Sequence, residues 1–304
     1  MLVIEAISPQ ATKIQHFLNM HKKKQPLKED CFNPYRPAGY NPIYPSKPKL
    51  LPKYLLISKK SSTFVADFME EKQHIGQLFD RISGTYDALN HGLSLHIDKL
   101  WRRKAVSLMV PAEHVLDVAI GTADLAIEML RQGKAQRVTG IDLSEQMMEI
   151  GKVKVERLRV TGYGLPVEFV HGNAQQMPFE NNSFDGVTCA FGCRNFQNLD
   201  EGLKEMYRVL KPGGQVTILE FSYPSNRLVR ALYDIYFTHV LPFIGRVVSK
   251  DKTAYTYLNK SVKSFCWGEA FVMHMHDAGF RDEQFYPRTF GIATVYTAVK
   301  PLIH

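Results

Sequence analysis

The sequence predicts an α/β domain built on a doubly wound, mostly parallel sheet of seven strands with helices on both faces. From residue 67 to residue 304, short apolar runs typical of buried strands alternate with helical periodicity, an order typical of a parallel sheet covered by helices. A last pair of strand patterns predicts two strands that close the sheet. The chain has 304 residues and 45% apolar content, enough to bury a core of this size.

The predicted elements follow one another along the chain. Strand patterns lie at residues 115–119, 138–142, 167–171, 186–190, 215–221, 281–286 and 293–299. Helices are predicted at 125–132, from the second strand to residue 159, and at 200–210. The sequence Lys-Pro-Gly-Gly at 211–214 predicts the end of the last of these helices, because proline and glycine interrupt helices.

Residues 1–66 differ in composition from the rest of the chain. They hold 11 Lys/Arg against 3 Asp/Glu and 8 of the 16 prolines, a density that disfavours regular structure. We expect a disordered, dispensable leader, with contact to anionic lipid or RNA as the alternative. Residues 67–304, the predicted domain, are electrically balanced, which argues against a nucleic-acid-binding domain.

Composition also indicates the compartment and the absence of a metal. No stretch has the roughly 18 uncharged apolar residues of a membrane-spanning helix, and the first 30 residues lack the apolar run and cleavage site of a secretory signal. No two cysteines form a Cys-x-x-Cys pair; the four are Cys31, Cys189, Cys193 and Cys266. We therefore expect a cytoplasmic protein with free thiols and no structural metal.

One segment, residues 228–248, is apolar on much of its circumference. Arg230, Asp234, Pro242 and Arg246 interrupt it, so it cannot span a bilayer. We expect a core helix, with a second role as an apolar surface against lipid.

A turn after the first strand and an acidic residue at the end of the second predict a site for an adenosine group. Gly121 allows close approach of the backbone, and Asp142, about 20 residues later, is placed to bind the ribose hydroxyls. Asn173 and Ala174 follow the third strand, where a carboxamide and backbone amides can bind the adenine edge.

The composition of the turn restricts which adenosine-containing ligand can bind there. Residues 119–124 read Ala-Ile-Gly-Thr-Ala-Asp, with one glycine where a dinucleotide pyrophosphate requires three. Asp117 and Asp124, which flank this turn and its Thr122, would repel a pyrophosphate but suit a sulfonium and an α-amino group. The turn therefore predicts S-adenosylmethionine as cofactor and co-substrate.

Several segments resemble those of the ubiquinone/menaquinone biosynthesis C-methyltransferases. The first signature matches Tyr86-Asp87-Ala88-Leu89-Asn90 followed by Leu93-Ser94 and Trp101, and the second matches residues 208–222 (Arg-Val-Leu-Lys-Pro-Gly-Gly-Gln-Val-Thr-Ile-Leu-Glu-Phe-Ser). Residues 191–195 (Phe-Gly-Cys-Arg-Asn) and 255–261 (Tyr-Thr-Tyr-Leu-Asn-Lys-Ser) are similar to two further segments of the family. The resemblance leaves the leader out.

The resemblance implies the class I methyltransferase fold and methylation of a ring carbon on a polyprenylated quinol. Carbon is a poor nucleophile, so the ring must be reduced, and a hydroxyl proton leaves as the methyl group arrives. Arg194 is expected where the fourth strand ends at the crevice, and we assign it to orienting or stabilising the quinol oxygen, with a water as a further proton relay. An ion pair with Asp185 or Glu220 is the alternative role.

Tyr86 and Asn90 are four residues apart on one face of a helix before the core, and are expected to cover the cofactor as a lid. His96, His171 and His239 have the chemistry of a base but are more often structural. Cys189 and Cys193 are interpreted as a buried strand residue and a small crevice residue.

Three positions depart from the family pattern. Asp98 replaces a histidine, Ile120 replaces a small residue, and Ala123 replaces a glycine of the turn. The Cβ of Ala123 is expected either to crowd the methionine part of the cofactor or to require a positive φ.

Demethylmenaquinol is the expected acceptor. The leader contains Glu5, Glu29, Asp30 and a single arginine, unlike an Arg-rich transit peptide, which favours a bacterial enzyme acting at the inner face of the cytoplasmic membrane. The alternatives are a methoxylated polyprenyl benzoquinol as acceptor and a catalytically weak, cofactor-binding scaffold of a quinone-synthesis complex. A third alternative, methylation of RNA or protein, is supported only by the basic leader.

Overall fold

The computed structural model describes residues 75–94, 96–160, 166–236, 238 and 252–302, and for 88–90, 92, 93 and 252–256 it describes the backbone only. The predicted leader therefore lies outside the described residues. The same holds for four single positions discussed above and for the side chain of Asn90; the four positions are Cys31, His239, Pro242 and Arg246.

Seven strands form a single mixed sheet, as predicted, in the order β3-β2-β1-β4-β5-β7-β6. The first five pair in parallel, and β7 pairs antiparallel with both β5 and β6. The strands are β1 (Ala112–Val118), β2 (Ala135–Asp142), β3 (Val167–His171), β4 (Phe184–Ala190), β5 (Leu210–Phe221), β6 (Arg281–Arg288) and β7 (Ala293–Val299).

Eight helices and two short 3-10 turns, at Cys193–Asn195 and Thr289–Gly291, are described in detail. The helices are α1 (Ile75–Leu93), α2 (Ile97–Ser107), α3 (Asp124–Arg131), α4 (Glu145–Val160), α5 (Leu199–Val209), α6 (Arg227–Ile235), α7 (Lys252–Ser264) and α8 (Glu269–Asp277). None of the helices in the described part of the chain is both long and apolar enough to cross a membrane.

The sheet separates the two largest apolar clusters of the core among the described residues. Successive β1 residues point to opposite faces, so Val115 packs into one cluster and Leu116 into the other. The first cluster contains side chains of α2, α3 and α4, and the second contains side chains of α5 and α8. Helices therefore cover both faces, as the sequence predicts.

Predicted and observed elements agree apart from their ends, with one informative difference. Helix α5 ends at Val209, as the 211–214 motif predicts, but these four residues belong to β5 instead of a loop. Gly213, at φ 80°, donates its N–H to the carbonyl of Lys300 at 2.8 Å, and Gly214 accepts from the Lys300 N–H at 3.0 Å. Pairing with the end of the chain thus extends the strand through the turn residues.

The topology determines where a ligand binds. The chain order reverses between β1 and β4, since β1 continues to β2 on one side and pairs with β4 on the other. The turns that leave the carboxyl ends of these strands diverge and leave a crevice. The predicted site residues lie in or near these turns.

Candidate active site

The turn after β1 is unusually tight. Ala119, Gly121 and Ala123 have φ values of 58°, 53° and 65°, in the left-handed region that glycine favours. The Ala123 N–H donates to the carbonyl of Ile120 at 3.0 Å. The backbone of residues 119–123 is therefore folded into a compact turn at the crevice.

Asp142, at the end of β2, holds this turn. Its Oδ2 accepts the N–H of Gly121 at 2.8 Å and its Oδ1 accepts the N–H of Ser144 at 2.9 Å. Burial raises the pKa of Asp142, and the backbone hydrogen bonds only partly offset that rise. Each carboxylate oxygen still has capacity for a further donor, because a carboxylate offers about four acceptor positions.

A cleft lies over the turn after β1 and the carboxyl end of β2. Five of the residues predicted to bind the cofactor line it: Tyr86, Gly121, Asp142, Asn173 and Ala174. Apolar and amide side chains that the sequence analysis did not assign to the site complete its wall, among them Ile75, Phe79, Leu143, Met147, Phe191, Asn195 and Phe196. Helix α1 contributes Ile75, Phe79 and Tyr86 to this wall.

Asn173 has a defined orientation in this cleft. Its Oδ1 accepts the Gln175 N–H at 2.9 Å, so the carboxamide oxygen closes a local turn. The amide nitrogen is therefore the group of this side chain that is left for a ligand.

Asp117 is placed differently from the prediction. Its side chain does not line the cleft and is 1% exposed, between β1 and β4, where Oδ1 accepts from the Thr188 hydroxyl at 2.8 Å. Its Oδ2 is buried with no hydrogen-bond partner among the described residues. Burial raises the pKa of Asp117 to about 7.

Thr122 and Asp124 face away from the cleft, into a charged cluster between helices α1 and α4. Thr122 donates to Asp87 at 2.7 Å, and the Lys154 ammonium lies 2.5 Å from Asp87 and 2.8 Å from Asp124. Asp87, His91 and Asp124 have the donor types of a cation site, but the Lys154 ammonium already pairs with both carboxylates. This cluster therefore joins α1 to the β1 turn.

The three departures from the family pattern each have a local structural basis. Asp98 accepts from the Ser94 hydroxyl at 2.6 Å and pairs with Arg102 and His91; these partners hold its pKa below the usual value although burial opposes them. Ile120 packs over Gly140, where any Cβ would clash with it. Ala123 has the positive φ that was one of its two expected consequences, and its methyl group packs in the core instead of lining the cleft.

Arg194 lies in the 3-10 turn after β4, next in the chain to the cleft residue Asn195, and is not itself among the residues that line the cleft. It is 5% exposed, and its guanidinium donates to Glu220 Oε1 at 2.7 Å, so the ion-pair alternative with Glu220 is present. Asp185 pairs with Lys211 instead. Burial acts to lower the pKa of Arg194, but the Glu220 carboxylate raises it, and the side chain stays charged.

The remaining candidates lie away from this centre. His96 and His171 are exposed and do not line the cleft. Cys189 and Cys193 are buried free thiols with their sulfur atoms 3.7 Å apart.

Comparison with known sequences gives a consistent result. The profile of the ubiE/COQ5 methyltransferase family matches residues 67–300. A Bacteroides fragilis protein named demethylmenaquinone methyltransferase is 41% identical over 233 residues, which cover 76% of this chain and 94% of that protein. A Geotalea daltonii protein named ubiquinone/menaquinone biosynthesis C-methyltransferase UbiE is 45% identical over 234 residues, covering 76% and 98%.

Comparison with solved structures concerns the fold. A SAM-dependent methyltransferase of Thermotoga maritima, described as a possible histamine N-methyltransferase, aligns with a TM-score of 0.53 at 20% identity over 75% of this chain and all of that one. The [4+2]-cyclase SpnF aligns with a TM-score of 0.55 at 16% identity over 76% and 97%. At such identities the likeness shows the fold alone.

Proposed function

The chain belongs to the ubiE/COQ5 methyltransferase family, and we propose that it transfers a methyl group from S-adenosylmethionine to a ring carbon of demethylmenaquinol. The bound co-substrate supplies an electrophilic methyl group on a sulfonium. The relatives named demethylmenaquinone methyltransferase support the choice of quinol.

The cleft residues suit the nucleoside end of S-adenosylmethionine. Asp142 keeps one acceptor position on each carboxylate oxygen for the two ribose hydroxyls. Leu143 and Ala174 offer apolar surface for a purine ring, and the Asn173 amide nitrogen can donate to its edge. Asp117, Thr122 and Asp124 do not line the cleft, so we assign them an indirect role, as supports of β1 and its turn.

The observation that carries the acceptor assignment is the state of Arg194. Its Nε–H is buried and has no hydrogen-bond acceptor among the described residues, although Nη1 is anchored to Glu220 and to the Phe191 carbonyl. A buried donor without an acceptor is costly, and a ring oxygen of the quinol would satisfy it. As the hydroxyl proton leaves, this fixed donor stabilises the developing charge on that oxygen.

The substrate's isoprenoid tail requires access from a membrane, and α6 offers a surface for it. Leu228, Leu232 and Ile235 lie on one side of the helix and are 71%, 60% and 55% exposed, whereas Tyr233 is buried. We assign this apolar stripe to contact with the inner face of the cytoplasmic membrane. Replacing the three residues by serine should abolish co-sedimentation with anionic vesicles; unchanged binding would exclude α6 as the contact.

The test of the activity is methyl transfer by the purified protein. With labelled S-adenosylmethionine and a short-chain demethylmenaquinol kept reduced by dithionite, we expect labelled menaquinol. Without dithionite the oxidised quinone should stay unlabelled, because it has no hydroxyl proton to release and an electron-poor ring. Methylation of the oxidised ring would overturn the mechanism, and exclusive use of a methoxylated benzoquinol would overturn the choice of substrate.

A further inference from the structure

The side chain that holds Arg194 has no assigned role in the reaction. We propose that Glu220 is a positioning residue for methyl transfer, which fixes the orientation of Arg194 and sets the charge that the quinol oxygen meets. This inference rests on the proposed function and adds to it a residue that does not touch the substrate.

Both carboxylate oxygens of Glu220 bond to Arg194 in the turn after β4. Glu220 is fully buried at the end of β5, where Oε1 accepts from the Arg194 guanidinium at 2.7 Å and Oε2 accepts from the Arg194 backbone N–H at 3.1 Å. Oε1 also accepts the N–H of Phe221 at 2.8 Å. One carboxylate therefore holds both the main chain and the side chain of Arg194.

The guanidinium is fixed on its other sides as well. It lies 5.0 Å from the ring centre of Phe221 and 6.0 Å from that of Phe191, and it donates to the Phe191 carbonyl. Phe191 has a φ of 60°, rare for a bulky residue, and the Asn195 amide donates to the same carbonyl at 3.3 Å. These hydrogen bonds are made by Nη1, and Nε–H stays buried without an acceptor among the described residues.

The pair also determines the local charge. Arg194 and Glu220 together are neutral, so the quinol oxygen meets a hydrogen-bond donor whose positive charge is largely balanced by the carboxylate behind it. Removing the carboxylate charge leaves an unbalanced cation, which lowers the pKa of a nearby hydroxyl. Since kcat against pH reports groups of the enzyme–substrate complex, this change is visible in the pH profile.

The chain offers a matched control at the opposite end of β4. Asp185 also combines an ion pair, to Lys211 at 2.6 Å, with a backbone hydrogen bond, from His114 at 3.0 Å. It lies at the amino end of the strand, away from the cleft. Asp185→Asn therefore breaks the same kind of contact without reaching Arg194.

The experiment compares Glu220→Gln, Glu220→Asp and Asp185→Asn with the wild-type chain. We expect Glu220→Gln to lower kcat at least tenfold, to leave the KM for S-adenosylmethionine within twofold, and to move the rising limb of the kcat–pH profile about one unit lower. Glu220→Asp keeps the charge, so it should lower kcat and leave the limb in place. Asp185→Asn should match the wild type.

A second readout does not depend on turnover. In protein labelled with ¹⁵N-arginine, the buried Nε–H of Arg194, assigned with Arg194→Lys, should exchange slowly with water in the wild type and quickly in Glu220→Gln. Wild-type kinetics and slow exchange in both Glu220 variants would overturn the inference and leave the proposed function intact. A wild-type chain that methylates no quinol would overturn the proposed function, and the exchange rate would still decide whether Glu220 anchors Arg194.

Discussion

The turns after β1 and β4 meet at the same crevice, and each is held by a carboxylate at the end of a neighbouring strand. Asp142 holds the first turn through the Gly121 N–H, is half-buried, and lines the cleft with acceptor capacity left over. Glu220 holds the second through Arg194, is fully buried, and does not line the cleft. The same functional group thus lines the cleft in one turn and is buried behind it in the other, and we propose that it contacts the ligand directly in the first case and anchors Arg194 in the second.

The largest effect on this comparison is expected at Asp142. Asp142→Ala removes the two acceptor positions for the ribose, charge-assisted hydrogen bonds that contribute roughly 1.5–3 kcal/mol. Binding of S-adenosylmethionine, measured by titration calorimetry, should weaken about ten- to a hundredfold.

Asp124→Asn is the control for this prediction. Asp124 lies beside the same turn but faces Lys154 on the other side. The affinity of the Asp124→Asn variant for S-adenosylmethionine should therefore stay within about threefold of the wild-type affinity. Equal losses in both variants would mean that the carboxylates act only by supporting the turn, and Asp142 would lose its role as a ligand contact.

The difference between the two turns marks what the sequence could predict. The sequence predicts Gly121 and Asp142 as site residues because both follow or end adjacent parallel strands, and the register of these strands brings the two residues close together. The directions of Thr122 and Asp124 depend on where α1 and α4 pack, which local spacing does not determine. The sequence also left the partner of Arg194 open between Asp185 and Glu220. In the structure Asp185 lies at the amino end of β4, whereas Glu220 lies at the carboxyl end of β5 beside the turn that holds Arg194.

The sheet shows the same limit. The closing strand pattern at 293–299 was predicted with its observed bounds, but the insertion of β7 between β5 and β6 was not. A strand pair read from alternation does not reveal which member joins the sheet. In the structure β7 pairs with a strand on each side and is buried from Ala293 to Ala298, as expected for an interior strand. Strand β6 lies at the edge of the sheet and is largely exposed.

A smaller effect is expected beneath the two turns, where Asp117 on β1 bonds Thr188 on β4. The pKa of Asp117 is raised from 3.8 to about 7, so the folded state holds a proton that the unfolded state releases. The stabilising contribution is present at low pH and is lost as pH rises through about 7, at a cost of about 2 kcal/mol between pH 5 and pH 7.

Asp117→Asn should remove this dependence, because the amide cannot ionise. Urea unfolding at pH 5 and pH 8 should therefore show the variant gaining stability relative to the wild type at the higher pH. A constant difference between the two proteins across this range would mean that Asp117 is ionised throughout and that another group satisfies its second oxygen.

The smallest effect is expected at Ala123, in the β1 turn itself. A left-handed conformation costs an L-residue about 1–2 kcal/mol, which Ala123→Gly would relieve. The same change removes a fully buried methyl group, worth about 0.8 kcal/mol, and adds roughly 0.5–1 kcal/mol of backbone entropy to the unfolded chain. These contributions nearly cancel, so we expect thermal stability within about 1 kcal/mol of the wild type. Because the methyl group packs in the core and not in the cleft, the affinity for S-adenosylmethionine should also be unchanged. A tenfold tighter complex in the glycine variant would show instead that the Ala123 methyl group crowds the co-substrate. The conformation of the β1 turn would then weaken the binding of S-adenosylmethionine.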